Sequence, residues 1–504
     1  MVSTNKKILR VALMLTYTFI IFILLFLLSS LYTYFNTGAD RSAMLHTEVK
    51  KVDQYLPKVD WKENGNEGRE ISDQKVAEIL NDYLDSWYVK QASFLSNTRL
   101  GIDDYFTKNA RKNIFNIIDY NKENNISIES TTLKHNLDLE FFSEDGQLIV
   151  LKDNDVVEYK KTLKNNEIIM ETSEISDYKA VLLLEDGFWR IRHLVKEATK
   201  DFDKTTTAAQ FDFTTLKGIN YYPQATPWDM YGDQFDINII KNDFKIIKDA
   251  KLNSIRIFVP YADFGKANVK EDKLQKLQLV LDAALEVDLK VVVTLFDFYG
   301  NYNVLDWTLN HRHAEKIVDR FKDHKAIIAW DVKNEPNLDF DSRGKANVIA
   351  WLEFMIITIK EIDKNHPITI GWSNVESATI LKDQLDIISF HYYEDIADLD
   401  QQYLTLKTKI KDKPIVLQEF GLSSYGGFWR PFASSEKKQA EYYKEIQKVL
   451  TKNSISFMSW TLYDFDVVPK EVLGRLPWRT NPQKKFGFIN NKGEKKLSYK
   501  YISN

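Results

Sequence analysis

Two glutamates that each lie at the end of an apolar run are the residues best suited to do chemistry in this sequence. Glu335 follows the run Ile327–Val332 in IIAWDVKNEPN, and Glu419 ends the run Ile415–Glu419 in PIVLQEFG. A pair of carboxylates across a pocket can cleave a glycosidic bond, because one protonates the leaving oxygen and the other meets the oxocarbenium-like centre. The sequence therefore predicts this chemistry if the fold brings the two glutamates to one pocket.

The elements that must position these glutamates begin at Lys217, where strand-like runs alternate with amphipathic helical patterns. Several runs are apolar at most of their positions, as is typical of strands buried on both faces of a parallel sheet. The eight runs are Gly218–Tyr222, Ser254–Val259, Val291–Phe296, Ile327–Val332, Ile368–Gly371, Ile387–Phe390, Ile415–Glu419 and Phe457–Leu462. They match an α/β fold of the (β/α)8 TIM-barrel type, in which reacting groups lie at the carboxyl ends of the strands. Periodicity alone leaves a doubly wound sheet open.

Motifs in this region resemble clan A glycoside hydrolases, most closely family 5, over Lys217 to about Ser498. They are Lys217–Pro223 (KGINYYP), Asn253–Arg256 (NSIR), Asn334–Pro336 (NEP), Phe390–Tyr393 (FHYY) and Glu419. The resemblance implies a retaining β-glycosidase with Glu335 as acid/base and Glu419 as nucleophile. It also implies that Arg256 and Tyr393 lie beside Glu419, that His391 lies near Glu335, and that Asn334 bonds the sugar 2-hydroxyl.

The same resemblance carries an expectation about protonation. Hydrogen bonds from Arg256 and Tyr393 should hold Glu419 ionised, whereas Glu335, with fewer donors, can keep its proton at neutral pH.

Aromatic side chains that follow strands offer flat faces on which sugar rings can stack. By the resemblance, Trp460 at the end of the eighth strand lies under the sugar at the cleavage point. Trp372, which ends the fifth strand, and Trp228, after the first, are the next candidates for substrate contact. The segment Phe296–Tyr299 departs from the family, since it lacks the histidine common there in many members. This departure leaves subfamily and substrate open.

The N-terminus predicts membrane attachment. Val11–Phe35 contains no charged residue over 25 positions, enough for a helix to cross a hydrocarbon core of about 30 Å. Lys6, Lys7 and Arg10 precede it, which predicts a cytoplasmic N-terminus and an extracytoplasmic catalytic domain at the cell membrane. A cleaved signal peptide is the alternative, but its apolar region is normally only about 7–15 residues long.

Between this run and the barrel, the sequence predicts a small α+β domain. Two helical patterns precede β-rich segments with turns at Asp145-Gly146 and Asp186-Gly187. This order weakly resembles the nuclear-transport-factor-2-like cone, which favours a spacer or dimerising role over a second active site. The predicted organisation is a cytoplasmic N-terminus (1–10), a transmembrane helix (11–35), a stalk (36–70), the α+β domain (71–196), a linker (197–216) and the barrel (217–504).

Composition narrows the function classes. Sixty-eight basic against 72 acidic residues give no electrostatic reason to expect nucleic-acid binding. The absence of cysteine excludes disulfides and thiolate chemistry. Nucleotide-loop and zinc-protease motifs are also missing, so we expect no metal and no other cofactor. A glycan is the expected partner, and the sequence leaves the oligomeric state open.

Two alternatives to hydrolysis remain at this stage. A transglycosylase that remodels envelope or secreted glycans would use the same two carboxylates. A non-catalytic glycan-binding barrel would have no need for both Glu335 and Glu419, which argues against it.

Overall fold

The computed structural model describes residues 2–36, 55–200, 211–410, 412–427, 434–469 and 476–503. The chain divides into two units, residues 1–53 and residues 54–504. In the first unit, helix α1 spans Val2–Asn36. Counting only described residues, no helix is both long enough and apolar enough to cross a membrane, so the transmembrane helix predicted for residues 11–35 is not confirmed.

The second unit opens with an α+β domain built on a five-stranded sheet. Its elements are β1 (Lys58–Lys62), α2 (Asp73–Ser96), α3 (Ile102–Tyr105), α4 (Lys108–Glu123), β2 (Ile126–Phe142), β3 (Leu148–Lys164), β4 (Glu167–Glu185) and β5 (Phe188–Lys200). The strands lie in chain order, with β1 parallel to β2 and the later neighbours antiparallel. Gly146 and Gly187 adopt positive φ in the hairpin turns, as the sequence predicts.

Strand β3 continues through a bulge around Asp155, at φ +53°, where its register with β4 shifts. One detail of this sheet differs from the sequence prediction. Strand β1 lies within the predicted stalk, and the preceding Tyr55 is buried, with its hydroxyl 3.2 Å from Nε2 of His135. Part of the segment interpreted as a stalk is therefore integral to the sheet.

The barrel is closed by eight parallel strands. They are β6 (Lys217–Asn220), β7 (Ser254–Pro260), β8 (Lys290–Asp297), β9 (Ile327–Asn334), β10 (Ile368–Trp372), β11 (Ile388–Tyr392), β12 (Ile415–Phe420) and β13 (Ser456–Trp460). The helices are α5 (Ile237–Asp249), α6 (Glu271–Glu286), α7 (Trp307–Phe321), α8 (Phe340–Arg343), α9 (Lys345–Ile362), α10 (Ile396–Lys409), α11 (Glu436–Asn453) and α12 (Pro477–Gln483). The predicted (β/α)8 barrel is confirmed, except that residues 373–387, all described, join β10 to β11 without an α-helix.

The barrel strands place their carboxyl ends at one edge, and pairing fixes which residues meet there. Asn220 pairs with Arg256, Gly371 with Asn334, and His391 with Glu419. Every residue of β7 and of β12 is buried, because parallel strands in a barrel are covered on both faces.

The sheet of the α+β domain packs on barrel helices α7 and α9. The ring of Tyr159 on β3 lies 4.3 Å from that of Trp307 and 5.9 Å from that of Phe354. Leu133 and Val157 belong to the same apolar core as the barrel. The boundary predicted as a linker, residues 197–216, is described only in part, since residues 201–210 lie outside the described residues. The predicted domain limits stay predictions.

Candidate active site

Glu335 and Glu419 face each other at the carboxyl edge of the barrel. Glu335 directly follows β9, with φ +47° in the left-handed region that non-glycine residues seldom adopt. Its backbone N–H donates to the carbonyl oxygen of Gly371 at 2.8 Å, which ties the turn to β10. Glu419 lies within β12. One carboxylate oxygen of each glutamate lies within 4.8 Å of the other.

Glu419 accepts hydrogen bonds from two of the predicted site residues. The hydroxyl of Tyr393 donates at 2.6 Å, and Nη1 of Arg256 donates at 3.3 Å. Tyr393 keeps 44% of its surface exposed, so its ring borders the open cleft while its hydroxyl faces Glu419. The carboxylate is thereby held in one orientation.

Arg256 is fully buried beneath the two glutamates and connects four strands. Its Nε and Nη2 donate to Oδ2 of Asp331 at 2.9 and 2.6 Å. Nη2 also donates to Oδ1 of Asn334 at 2.8 Å, and Nη1 to Oδ1 of Asn220 at 3.1 Å. A buried guanidinium needs such partners to offset its lost hydration. Sequence reasoning missed Asp331, although a lone acid inside the apolar run IIAWDVKN was a signal for it.

His391 lies between the two carboxylates. Its Nδ1 is 2.8 Å from Oε1 of Glu335 and 3.8 Å from Oε2 of Glu419. A Cβ at Gly371 would come within 2.9 Å of both Nε2 of His391 and Nη2 of Arg256, and within 2.5 Å of Oε1 of Gln418. Glycine at this position is therefore required for the close packing beneath the site.

The pKa values of the two glutamates shift in directions opposite to those expected from the sequence. Burial raises the pKa of Glu335, but the hydrogen bond with His391 and the nearby positive charges outweigh it and hold that pKa below its ordinary value. Burial raises the pKa of Glu419, and the charge of Glu335 adds to the rise, against the lowering effects of His391, Arg256 and Tyr393. Glu419 is the more enclosed of the two, with 11% of its side chain exposed against 24% for Glu335.

Aromatic rings form one wall of the cleft above these glutamates, which has a volume of about 660 Å³. The ring of Trp460 lies 6.0 Å from that of Trp228 and 6.3 Å from those of Tyr222 and Phe258. Trp460 and Trp228 both line the cleft, as the sequence analysis expects of residues that contact a sugar.

Trp372 does not line the cleft, so its position does not support the predicted sugar contact. It is fully buried, with its ring 6.4 Å from that of Phe340. Successive residues of a strand point to opposite faces. Because Gly371 faces Arg256 and His391, Trp372 points away from them.

Three charged residues that sequence reasoning did not assign to the site also line the cleft. Asp297 ends β8, and Lys333 lies near the end of β9, with its Nζ 3.3 Å from Oδ2 of Asp339. The hydroxyl of Tyr222 donates to Oδ2 of Asp297 at 3.2 Å. Asp297 stands in the segment noted above for departing from the family pattern, which was the signal that could have identified it.

Asp297 should make stability depend on pH. Burial raises its pKa from 3.8 to about 6, so between these values the folded protein binds a proton that the unfolded chain has released. Stability attributable to this group therefore falls as pH rises through that window and stays low above it. We expect Asp297→Asn to be more stable than the wild type by roughly 2–3 kcal/mol at pH 7, with little gain at pH 4.

Urea denaturation of both proteins at pH 4 and pH 7 measures this difference. Asp341→Asn, an exposed aspartate on α8, is the matched control and should change neither value. An equal gain for Asp297→Asn at both pH values would contradict the assignment.

Asp331 should be essential for stability because it neutralises Arg256. Its side chain is fully buried and accepts bonds from Arg256, from Thr294 Oγ1 at 2.8 Å and from the N–H of Gly371 at 3.1 Å. Removing one partner of a buried ion pair costs about 3–5 kcal/mol, and we expect Asp331→Ala to lose that much. Denaturant titration measures the loss in the free energy of unfolding, with Glu286→Ala, which removes an exposed ion pair with Lys241, as the control. If Asp331→Ala lost less stability than this control, the role of Asp331 would be disproved.

These features define the class of the protein. A closed parallel barrel holds two carboxylates within 4.8 Å of each other at the ends of its fourth and seventh strands, under an aromatic-walled cleft. This arrangement is that of a glycoside hydrolase.

Comparison with known proteins gives the family. The model of the cellulase family, glycosyl hydrolase family 5, matches residues 206–466, more than half of the chain, and the chain belongs to that family. Human β-glucuronidase is 25% identical over 279 residues, which cover 51% of this chain and 40% of that protein. The mannan endo-1,4-β-mannosidase 5 of Solanum lycopersicum is 26% identical over 225 residues, covering 36% of this chain and 51% of that protein.

The chain thus spans about half or less of the length of these curated relatives. Among solved structures, it is similar to the exo-β-1,4-mannosidase Op5Man5 from Opitutaceae bacterium strain TAV5. That match has a TM-score of 0.47 and 18% identity, and covers 57% of this chain and 58% of that chain.

Proposed function

We propose that this protein is a retaining β-glycosidase that hydrolyses a β-linked polysaccharide or oligosaccharide by double displacement. The observation that carries the proposal is the short gap between the carboxylates, with one oxygen of each within 4.8 Å of the other. Retaining enzymes place their carboxyl groups about 5–5.5 Å apart, whereas inverting enzymes leave about 6.5–9.5 Å for a water molecule.

In the first step, Oε of Glu419 attacks the anomeric carbon and forms a glycosyl ester as the bond to the leaving oxygen breaks. Glu335 gives its proton to that oxygen, so the departing sugar leaves as a neutral alcohol. In the second step, Glu335 takes a proton from water, whose oxygen attacks the anomeric carbon. The ester bond breaks, Glu419 is regenerated as a carboxylate, and the product keeps the β configuration.

The surrounding residues are suited to these roles. Arg256 and Tyr393 orient the Glu419 carboxylate, and Arg256 adds positive charge beside it. A sugar in the cleft covers the part of Glu335 that is exposed in the free protein, and loss of water favours its protonated, acidic form. Asn334, held by Arg256, is the expected partner of the sugar 2-hydroxyl, and Trp460 is the expected platform beneath the ring.

The proposal is tested by incubating the protein with a panel of β-linked glycans and aryl β-glycosides. We expect cleavage of at least one β-glycan, with the β-anomer appearing first by proton NMR before mutarotation. An α-anomer formed first would refute the retaining mechanism, and no cleavage of any β-glycoside would refute the function. Transfer to an added acceptor sugar in preference to water would instead indicate a transglycosylase.

We also propose that the protein is attached to the cell membrane with its catalytic barrel outside. The support is the sequence, in which an uncharged run at Val11–Phe35 follows Lys6, Lys7 and Arg10. Protease added to intact cells should remove the barrel, while a cytoplasmic marker protein stays intact. Recovery of the full-length protein from the soluble cytosol, or a mature N-terminus beyond residue 35, would refute the anchor.

A further inference from the structure

A second cavity of about 360 Å³ lies beside the catalytic cleft, where the α+β domain meets the rim of the barrel. Leu95 and Glu129 of the α+β domain line one side, and Asn301, Arg343 and Asn347 of the barrel line the other. Gly300 lines both this cavity and the catalytic cleft. The two spaces are therefore adjacent at one residue.

The lining of the second cavity is fixed in position by a buried cation. Lys161, only 2% exposed, donates to Oδ1 of Asn347 at 2.6 Å and pairs with Oε2 of Glu129 at 2.5 Å. The same lysine thus joins the two sides of the cavity, one from each domain. Within the described part of the chain, the guanidinium of Arg343 forms no ion pair across the cavity or elsewhere.

This set of groups is suited to sugar hydroxyls. A carboxylate accepts hydrogen bonds, a guanidinium donates them in a planar fork, and side-chain amides do both. Each sugar hydroxyl both donates and accepts hydrogen bonds, so the hydroxyls on neighbouring ring carbons need such a mixture of donors and acceptors. A neutral glycan does not need a lining in which all charges have the same sign.

We infer that the second cavity is a distal glycan subsite, and that a chain bound in the catalytic cleft continues past Gly300 into it. The inference rests on the proposed function and extends it, because it makes long chains better substrates than short ones. It also gives the α+β domain a part in substrate binding, where the sequence favours a spacer or dimerising role.

Gly300 offers a way to obstruct this path. A Cβ at this position would meet no atom within 4 Å, and the residue does not adopt a left-handed φ. A tryptophan there would add bulk at the residue that both cavities share, without straining the backbone. Alanine is the matched control, because its methyl group leaves the path open.

The experiment compares kcat/KM on a long β-glycan with kcat/KM on an aryl β-glycoside of the same sugar, for the full-length protein and its variants. Gly300→Trp and Arg343→Ala should each lower the ratio of the long-chain value to the aryl value, by roughly tenfold to a hundredfold. Gly300→Ala should leave the ratio near that of the wild type. Arg320→Ala, which removes another exposed arginine without an ion pair in the described chain, should do the same.

The outcomes separate the subsite from the function. An unchanged ratio in Gly300→Trp and Arg343→Ala, with the aryl glycoside still cleaved, would overturn the distal subsite alone. A wild-type protein that cleaves no β-glycoside would overturn the proposed function and the subsite with it. Equal melting temperatures of the variants and the wild type would confirm that a lowered ratio reflects binding rather than folding.

Discussion

Glu419→Ala should be inactive on every β-glycoside, whatever its leaving group. No glycosyl-enzyme intermediate forms without the nucleophile, so a leaving group that departs easily gives no compensation. Loss of an essential nucleophile lowers kcat by a factor on the order of 10⁶. Steady-state kinetics on the polysaccharide and on an activated aryl glycoside measure the loss, and both rates should fall together.

The variant also allows a stereochemical test. Azide is small enough to enter the space that the Glu419 side chain vacates and to attack the anomeric carbon from that face. We expect the product to be the α-glycosyl azide, because a single displacement inverts the configuration. In the wild type, a 2-deoxy-2-fluoro glycoside should label Glu419, as found by peptide mass analysis.

A matched control separates catalysis from folding. Glu441 is an exposed glutamate on α11, and Glu441→Ala should keep full activity. Residual hydrolysis of the aryl glycoside by Glu419→Ala at the wild-type rate, or labelling of another carboxylate, would contradict the nucleophile assignment.

The barrel was predictable because its strands carry a strong sequence signal. Runs such as Val291–Phe296 are apolar at every position but Thr294, since both faces of the strand are buried. Once the runs are counted, the residue at each carboxyl end follows, and this places Glu335, Glu419 and His391 at one edge. Each run is recognised from a few neighbouring residues, and the parallel barrel brings the ends of these runs together at one site.

Contacts that depend on the direction of a side chain could not be predicted from the apolar runs. Asp331 reaches Arg256 across the inside of the barrel, and Trp372 points away from the cleft because its neighbour Gly371 faces inward. Side chains along a strand alternate between its two faces, so the direction of each can be predicted only when one residue of that strand is already known to point inward. For β9, the contact between Asp331 and Arg256 shows which residues point inward, and that contact is seen only in the structure.

The protonation of the two carboxylates was equally beyond the sequence. Counting donors favoured an ionised Glu419 and a protonated Glu335, but the count left out burial and the position of His391. In the structure, Nδ1 of His391 lies 2.8 Å from Oε1 of Glu335 and Glu419 is the more enclosed carboxylate, so the pKa of Glu335 shifts down and that of Glu419 shifts up, opposite to the directions expected. Two carboxylates this close titrate as a pair, so the acid is best identified by its effect on leaving groups.

Glu335→Ala should therefore lose far more activity on the polysaccharide than on an activated aryl glycoside. An acid is needed most when the departing oxygen is strongly basic, as in a sugar–sugar bond, and general acid catalysis contributes about 10²–10⁴-fold. We expect a loss of that size in kcat/KM on the polysaccharide and a much smaller loss on the aryl glycoside, measured side by side. Deglycosylation also needs Glu335 as base, so azide should partly rescue the aryl reaction.

The configuration of the rescued product distinguishes the two glutamates. With Glu419 intact, the glycosyl ester still forms, and azide attacks it from the face that Glu335 occupies in the wild type. Two displacements restore the original configuration, so the product should be the β-glycosyl azide, opposite to that from Glu419→Ala. Glu335→Gln, which keeps the size of the side chain but cannot give up a proton as an acid, should show the same dependence on the leaving group as Glu335→Ala. Equal losses on both substrates, or an α-azide product, would show that Glu335 is not the acid/base.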